Sequence, residues 1–210
     1  LETLATAAIC AMHLSRLAQV LQRLRDAGLK LRTDKCRLFQ RRVSFLGHVV
    51  SQNGIEPDPK KVAAVVDWPV PTGLAELRGF CGLCSYYRNF IKDLRIIAAP
   101  LFDLVKKGMS FVWTERCQSA FETLKAHLTS APVLANPVDG GGYVLDVNTC
   151  DVGIGAVLQQ WQDEELCVVG YASRTLSKPE RAYCTTRKEQ LAVVFVRNEK
   201  SPPLAMSQQP

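Results

Sequence analysis

The sequence predicts a mixed α+β fold, with helices dominating the first two thirds and strands the remainder. Three observations predict it. Leu14, Leu17, Leu21 and Leu24 recur at helical spacing near the start. Residues 143–160 alternate through Val144, then Ile154, Ala156 and Leu158, which is the period of a sheet with one buried face. Between these regions an extended Ala131-Pro-Val-Leu-Ala-Asn-Pro run leads into Asp139-Gly-Gly-Gly. Composition shifts there, and a domain boundary is expected between about 130 and 142.

The elements follow in chain order. An amphipathic helix is expected over Leu14–Leu29, with Gly28 as its stop. Leu29-Lys-Leu-Arg alternates like a short strand, and Val43–Ser51 is a stronger strand signal with Gly47 as a bulge or close-approach point. Gln52-Asn-Gly is a turn. A helix over Lys60–Trp68 has Asp58 as N-cap and Pro59 at its first position, and Pro69 and Pro71 end it. Thr72 is placed to cap a helix from about Leu74 to Ile91, with Leu77, Phe80, Cys81, Cys84, Tyr87 and Phe90 on its apolar face. Gly79 and Gly82 lie inside that helix, each at a cost of about 1 kcal/mol relative to Ala, so another helix or a ligand backbone is expected to approach there.

Ala99–Val105 reads as a short helix, and Thr114 caps another over Glu115–Leu128 with Phe121 and Leu124 inward. Strands are expected at 143–150, 153–160 and 166–173, then a loop through Lys178-Pro-Glu and a helix beginning near Thr185. Residues 199–210 are expected to be a disordered tail.

Composition narrows the function classes. The 210 residues are 47% hydrophobic, enough for a sizeable core. No apolar run reaches the ~18 residues of a membrane span, and the first residues lack a basic leader, so an intracellular protein with no membrane partner is expected. The chain begins with Leu1, as a piece of something longer would. Net charge is +6 with a pI near 8.9, which permits a polyanionic partner without demanding one. Basic residues from Arg23 through Lys35 to Arg42 form a dense stripe, readable as a phosphate-facing surface or as a solvated face. Of eight cysteines only Cys81 and Cys84 form a CxxC pair, with no second pair and no histidine set to complete a zinc site. The polar break between the strands of 143–160 is expected to bring Asp146, Asn148 and Asp151 together at the mouth of the sheet, where a hard divalent cation could sit, or else to be a hairpin with solvated turn residues.

The motifs carry a resemblance. Leu29-Lys-Leu-Arg-Thr-Asp-Lys-Cys-Arg-Leu-Phe, Val43-Ser-Phe-Leu-Gly-His-Val-Val-Ser and Gly54-Ile-Glu-Pro-Asp-Pro-Lys-Lys-Val occur in that order. Glu76-Leu-Arg-Gly-Phe-Cys-Gly-Leu-Cys-Ser-Tyr-Tyr-Arg-Asn-Phe-Ile, Phe111-Val-Trp-Thr, Asp151-Val-Gly-Ile-Gly-Ala-Val-Leu-Gln-Gln and Tyr171-Ala-Ser-Arg-Thr-Leu follow. The set resembles the Pol polyprotein of gypsy-type LTR retrotransposons over about residues 13–196: reverse transcriptase, then the start of a ribonuclease H domain. The resemblance implies a divergent segment at 1–12, the end of a polymerase palm at 13–54, a helical thumb at 55–95 and a connection at 96–141. It implies a truncated RNase H-like α/β domain at 142–198.

The resemblance also implies roles. Phe45, Leu46, Gly47 and His48 match the hairpin that holds the primer end, and Gly82 and Tyr86 match a thumb helix that follows the minor groove. With Lys35 they form the implied nucleic-acid-binding set, the partner being an RNA–DNA or DNA duplex. The parent family uses Mg²⁺ for RNA-directed DNA polymerisation and for hydrolysis of RNA–DNA hybrids. This chain departs from it. The polymerase Tyr-x-Asp-Asp hairpin has no match, and Asn148 stands at the first nuclease Asp position. Asp146, two residues back on the same strand face and about 6.5 Å away, is too far to replace it. Glu189 matches the helix glutamate of the nuclease. The expectation is a catalytically incompetent remnant that binds no metal productively; the alternative is a domesticated remnant that only binds nucleic acid or a protein partner. Leu17, Leu21, Phe39 and Phe45 are expected to leave apolar surface exposed and the isolated chain poorly soluble.

Overall fold

The computed structural model describes residues 2–38 and 40–200. Of the tail expected at 199–210, residues 199–200 instead end a helix, and the remainder, like the exposure expected of Phe39, lies outside the described residues. Contacts divide the chain into two compact units, Leu1–Gln40 and Arg41–Pro210.

In the first unit, helix α1 spans Glu2–Asp26 and so includes most of the segment expected to be divergent. Gly28 adopts φ +68 at its C-terminal end, and the amide of Leu29 closes onto Leu24 O, as a left-handed stop requires. Leu14 and Leu21 are exposed and Leu17 and Leu24 half-buried. The short strand expected at 29–32 does not form. Those residues are irregular and lead into a 3-10 turn at Thr33–Lys35, because alternation without a pairing strand leaves the backbone groups unpaired.

The second unit opens with a three-stranded antiparallel sheet: β1 (Arg42–Phe45), β2 (His48–Ser51) and β3 (Gly54–Pro57). The single strand expected over Val43–Ser51 is a tight hairpin. Phe45 pairs with His48 around a two-residue turn, and Leu46 and Gly47 both take positive φ, +46 and +69, as a type I′ turn demands. Strand β3 had no clear sequence signal. It pairs along its length with β2, and Ile55 also exchanges both backbone hydrogen bonds with Leu134, far along the chain.

Helix α2 (Pro59–Val66) starts as expected, with Asp58 accepting from the amide of Lys60 and Pro59 at the first position. Helix α3 (Leu74–Tyr86) is shorter than expected. Gly73, not Thr72, is its N-cap, and Thr72 instead donates its amide and hydroxyl to Glu76. After Tyr86 the chain turns through a 3-10 segment, Arg88–Phe90, so Phe90 and Ile91 are buried without being part of the helix. Helices α4 (Leu94–Ile97), α5 (Ala99–Leu104) and α6 (Glu115–Thr129) complete the helical layer, α6 capped by the hydroxyl of Thr114. Leu77, Phe80, Tyr87, Ile91, Leu101, Phe121 and Leu124 make one core, with the rings of Phe80 and Phe121 4.6 Å apart.

A second antiparallel sheet follows: β4 (Tyr143–Thr149), β5 (Gly153–Gln162) and β6 (Glu165–Thr175), in that order. The turn at Asp163 and Glu164 also has both φ positive. Buried Gln160 pins the incoming linker through Val138 and Gly141, so the chain crosses 130–142 with its backbone bonded to the sheet. The loop expected at 178–180 is a helical turn, α7 (Lys178–Arg181), closed by a Ser177–Glu180 capping box. Helix α8 (Thr185–Lys200) covers one face of the sheet, packing on Leu145, Val147, Ile154, Ala156 and Ala172. This corrects the expected face: Leu145 and Val147 look toward the helix, and Val144 does not.

Candidate nucleic-acid interface and nuclease remnant

The β1–β2 turn is fastened to the end of α3. Tyr87 donates its hydroxyl to Gly47 O at 2.8 Å, and Tyr86 donates its own to Leu46 O. The ring of His48 lies 5.3 Å from that of Tyr86, 5.4 Å from Tyr87 and 5.5 Å from Phe90, and His48 Nδ1 is 2.8 Å from Leu46 O. A Cβ at Gly47 would stand 3.2 Å from the Tyr86 hydroxyl, so the turn is tight against the helix. With the turn anchored from behind, its apolar tip faces outward: Phe45 is 63% and Leu46 71% exposed.

Helix α3 continues that surface. Gly82 and Tyr86 are four residues apart and share a face, with Gly79 one turn earlier. A Cβ built at Gly79 or Gly82 meets nothing within 4 Å, so no helix among the described residues packs there. The sequence-predicted set Phe45, Leu46, Gly47, His48, Gly82 and Tyr86 is therefore brought together. Lys35 lies in the other unit, exposed in its 3-10 turn.

The nuclease candidates are arranged differently. Alternation along β4 places Asp146 and Asn148 on the face away from α8, where they line a cavity of about 180 Å³ with Lys92 and Asp93. Asn148 donates its side-chain amide to Asp93 Oδ2 at 3.2 Å. The second carboxylate oxygen, Asp93 Oδ1, is buried without a partner. Asp93 takes positive φ, +54, and its Oδ1 would lie 1.6 Å from a Cβ at Gly155, the cross-strand partner of Asn148. Only a glycine at 155 admits that carboxylate.

Asp151 does not join the group, contrary to the expected Asp146–Asn148–Asp151 cluster. It sits in the β4–β5 turn, and the buried Lys188 ammonium approaches its Oδ1 at 2.8 Å and holds its carboxyl below the usual range. Glu189, the next residue on α8, is exposed on the helix that covers the opposite face from Asn148. Among the described residues no three His, Cys, Asp or Glu side chains converge. Asn148 brings a neutral amide where a carboxylate would offset a divalent charge, and the Asp151 carboxylate answers the Lys188 ammonium instead. Lys188 and Asp93 were not singled out from sequence. A lysine between polar helix neighbours carries no signal of burial, and Asp93 gains its meaning only from the sheet beneath it.

The mixed helical layer and antiparallel sheets are those of a reverse-transcriptase-related protein with an RNase H-like part. Residues 113–207 match the family of the RNase H-like domain found in reverse transcriptase. The chain is 38% identical over 185 residues to the retrovirus-related Pol polyprotein from transposon 297 of Drosophila melanogaster, covering 87% of this chain and 17% of that protein. It is 34% identical over 183 residues to the transposon Tf2-3 polyprotein of Schizosaccharomyces pombe, covering 87% of this chain and 14% of that protein. Among solved structures, the foamy viral protease–reverse transcriptase in complex with RNA/DNA hybrid superposes with a TM-score of 0.75 at 22% identity, over 94% of this chain and 27% of that one. The chain belongs with retrotransposon Pol polyproteins and spans less than a fifth of the length of these two relatives. No helix among the described residues is long and apolar enough to cross a membrane.

Proposed function

We propose that this chain binds an RNA–DNA or DNA duplex through the β1–β2 turn and the glycine face of α3, and that it neither polymerises nor hydrolyses the strand it holds. The observation that carries the reading is the fastening of Leu46 and Gly47 to Tyr86 and Tyr87 beside an open Gly79–Gly82 surface. A bare helix face lets sugars and phosphates come close, and the anchored apolar tip of Phe45 and Leu46 can lie against a base or sugar without first being ordered. Residues 13–54 act in this reading as the end of a palm, 55–95 as a thumb, 96–141 as a connection and 142–198 as the RNase H-like part. The foamy viral enzyme of similar fold is held in a complex with an RNA/DNA hybrid, which supports the choice of ligand. The basic stripe around Lys35 adds a surface suited to phosphates.

The parent chemistry would use Mg²⁺ to align attacking and leaving oxygens. Here Asn148 is the donor to Asp93, Asp151 answers Lys188, and Glu189 stands on the other side of the sheet. These residues bind and position; none is placed to hold paired cations. An intracellular site of action fits the free thiols at seven described cysteines.

Fluorescence anisotropy of a labelled RNA–DNA hybrid, titrated with the full chain at several salt concentrations, tests the proposal. Affinity should fall steeply with salt, and Phe45→Ala and Gly82→Leu should each weaken binding about tenfold. A flat salt response, or unchanged affinity in both variants, overturns the duplex reading. Magnesium-dependent cleavage of the hybrid that is lost in Glu189→Gln overturns the claim of incompetence.

A further inference from the structure

A cleft of about 420 Å³ opens at the outer edge of β6, between the 3-10 turn that follows α3 and Phe195 of α8. Its polar lining is cationic and hydroxylic: Arg88, Arg95, Arg174, Tyr171 and Ser173 contribute, and no carboxylate lines it. Arg174 is neutralised from outside the cleft by a bidentate pair with Glu180, both bonds 2.9 Å. Arg88 and Arg95 form no ion pair with a carboxylate among the described residues. Arg95 is nonetheless held in place, its guanidinium 4.3 Å from the centre of the Phe102 ring and its backbone amide on the Ser173 hydroxyl at 3.1 Å. Arg88 is exposed, and its guanidinium donates to the carbonyl of Ser85 at 3.5 Å.

Arg88 and Arg95 both line the recess and neither has a carboxylate partner among the described residues, so an anion held there would meet two cations that no acid yet offsets. Guanidinium forks match the oxygens of a phosphate, and Ser173 adds a hydroxyl to the same lining. The position is informative as well. Arg88 lies two residues beyond Tyr86, whose hydroxyl fastens the hairpin turn, so the cleft begins where the proposed duplex surface ends.

We infer that this cleft takes a backbone phosphodiester of the bound nucleic acid, clamped by Arg88 and Arg95 against the edge of β6. The inference rests on the duplex reading and adds to it a second contact, made by the residues that follow α3 together with the edge of β6. It assigns the three-arginine lining a task that neither the hairpin nor the nuclease remnant uses.

The test measures hybrid binding by the full chain against salt for wild type, Arg88→Ala, Arg95→Gln and the double variant. Each single variant should lower affinity by three- to tenfold, and the double variant should reduce the slope of log affinity against log salt by about 1 to 2. Arg88 is exposed, so Arg88→Ala keeps the test valid if Arg95→Gln loses its packing on Phe102. A second arm follows the backbone amide resonances of Arg95, Ser173 and Thr175 on addition of the hybrid or of inorganic phosphate. Shifts with the hybrid support the proposal. Shifts with inorganic phosphate alone show a free-anion site and overturn it, as does an unchanged salt slope in the double variant. The two readings fail separately: a duplex surface without the cleft leaves Phe45→Ala impaired and Arg88→Ala unaffected, and the converse pattern indicts the hairpin.

Discussion

Asn148 on β4 donates its side-chain amide to Asp93 at 3.2 Å, joining the RNase H-like sheet to the turn that opens α4. The position where relatives are expected to hold a metal-binding aspartate is here part of a fastening. Asp93 is fixed there by its left-handed backbone and by the space that Gly155 leaves. An aspartate at 148 would face a carboxylate that cannot easily withdraw.

Restoring the acid should therefore harm the protein before it helps any chemistry. Asn148→Asp removes a donor and sets two like charges together, at an expected loss of about 1–2 kcal/mol in urea unfolding. Asp93→Asn combined with Asn148→Asp reverses donor and acceptor and should recover most of it. Equal stability of Asn148→Asp and wild type would show that the bond does not hold the two elements together.

The glycines separate stability from binding. Gly82→Ala fills open space in an exposed helix, so it should stabilise by about 0.5–1 kcal/mol while lowering duplex affinity. Gly155→Ala drives a methyl into the Asp93 carboxylate and should cost at least about 2 kcal/mol. Thermal melts of the two variants beside anisotropy titrations check both signs. A Gly82→Ala protein that is more stable and binds equally well would remove the helix face from the interface.

Thiol labelling should divide the cysteines by burial. Burial pushes the Cys81 thiol up to about 11 and raises that of Cys84 further, while Cys36 and Cys184 are exposed. A disulfide reagent at neutral pH should modify Cys36 and Cys184 rapidly, and Cys81, Cys84 and Cys117 only with unfolding. Fast labelling of Cys84 in the folded chain would mean that the α3 core opens readily.

Acid should loosen the region after β6. Hydrogen bonds from Arg174 and from the Ser177 amide hold the Glu180 carboxyl at about 2, below its ordinary 4.5. A depressed carboxyl stabilises the fold fully above the ordinary value, and that contribution is lost as pH falls from about 4.5 toward 2. Lys188 depresses Asp151 in the same direction. Stability measured across this window should fall less steeply in Glu180→Gln than in wild type, and an identical acid limb would refute the assignment.

Local patterns were legible because they depend on neighbours in the chain. Asp58 and Pro59 opening α2, Thr114 capping α6, and the three strands after residue 142 follow from propensity and period, and the ordered motifs alone pointed to retrotransposon Pol. The hairpin residues and Gly82 with Tyr86 were nameable as a set, though not the tyrosine hydroxyls that bind them into one surface. Tertiary structure decided what depends on distant partners. Leu134 returns from far along the chain to bond Ile55 on β3, and the 29–32 run stays irregular because no strand comes to it. The face of β4, the burial of Lys188 against Asp151 and the seat of Asp93 above Gly155 were settled by long-range packing. A polar residue's role is set by which atom answers its charge or donor, and that atom lies outside any window of the sequence.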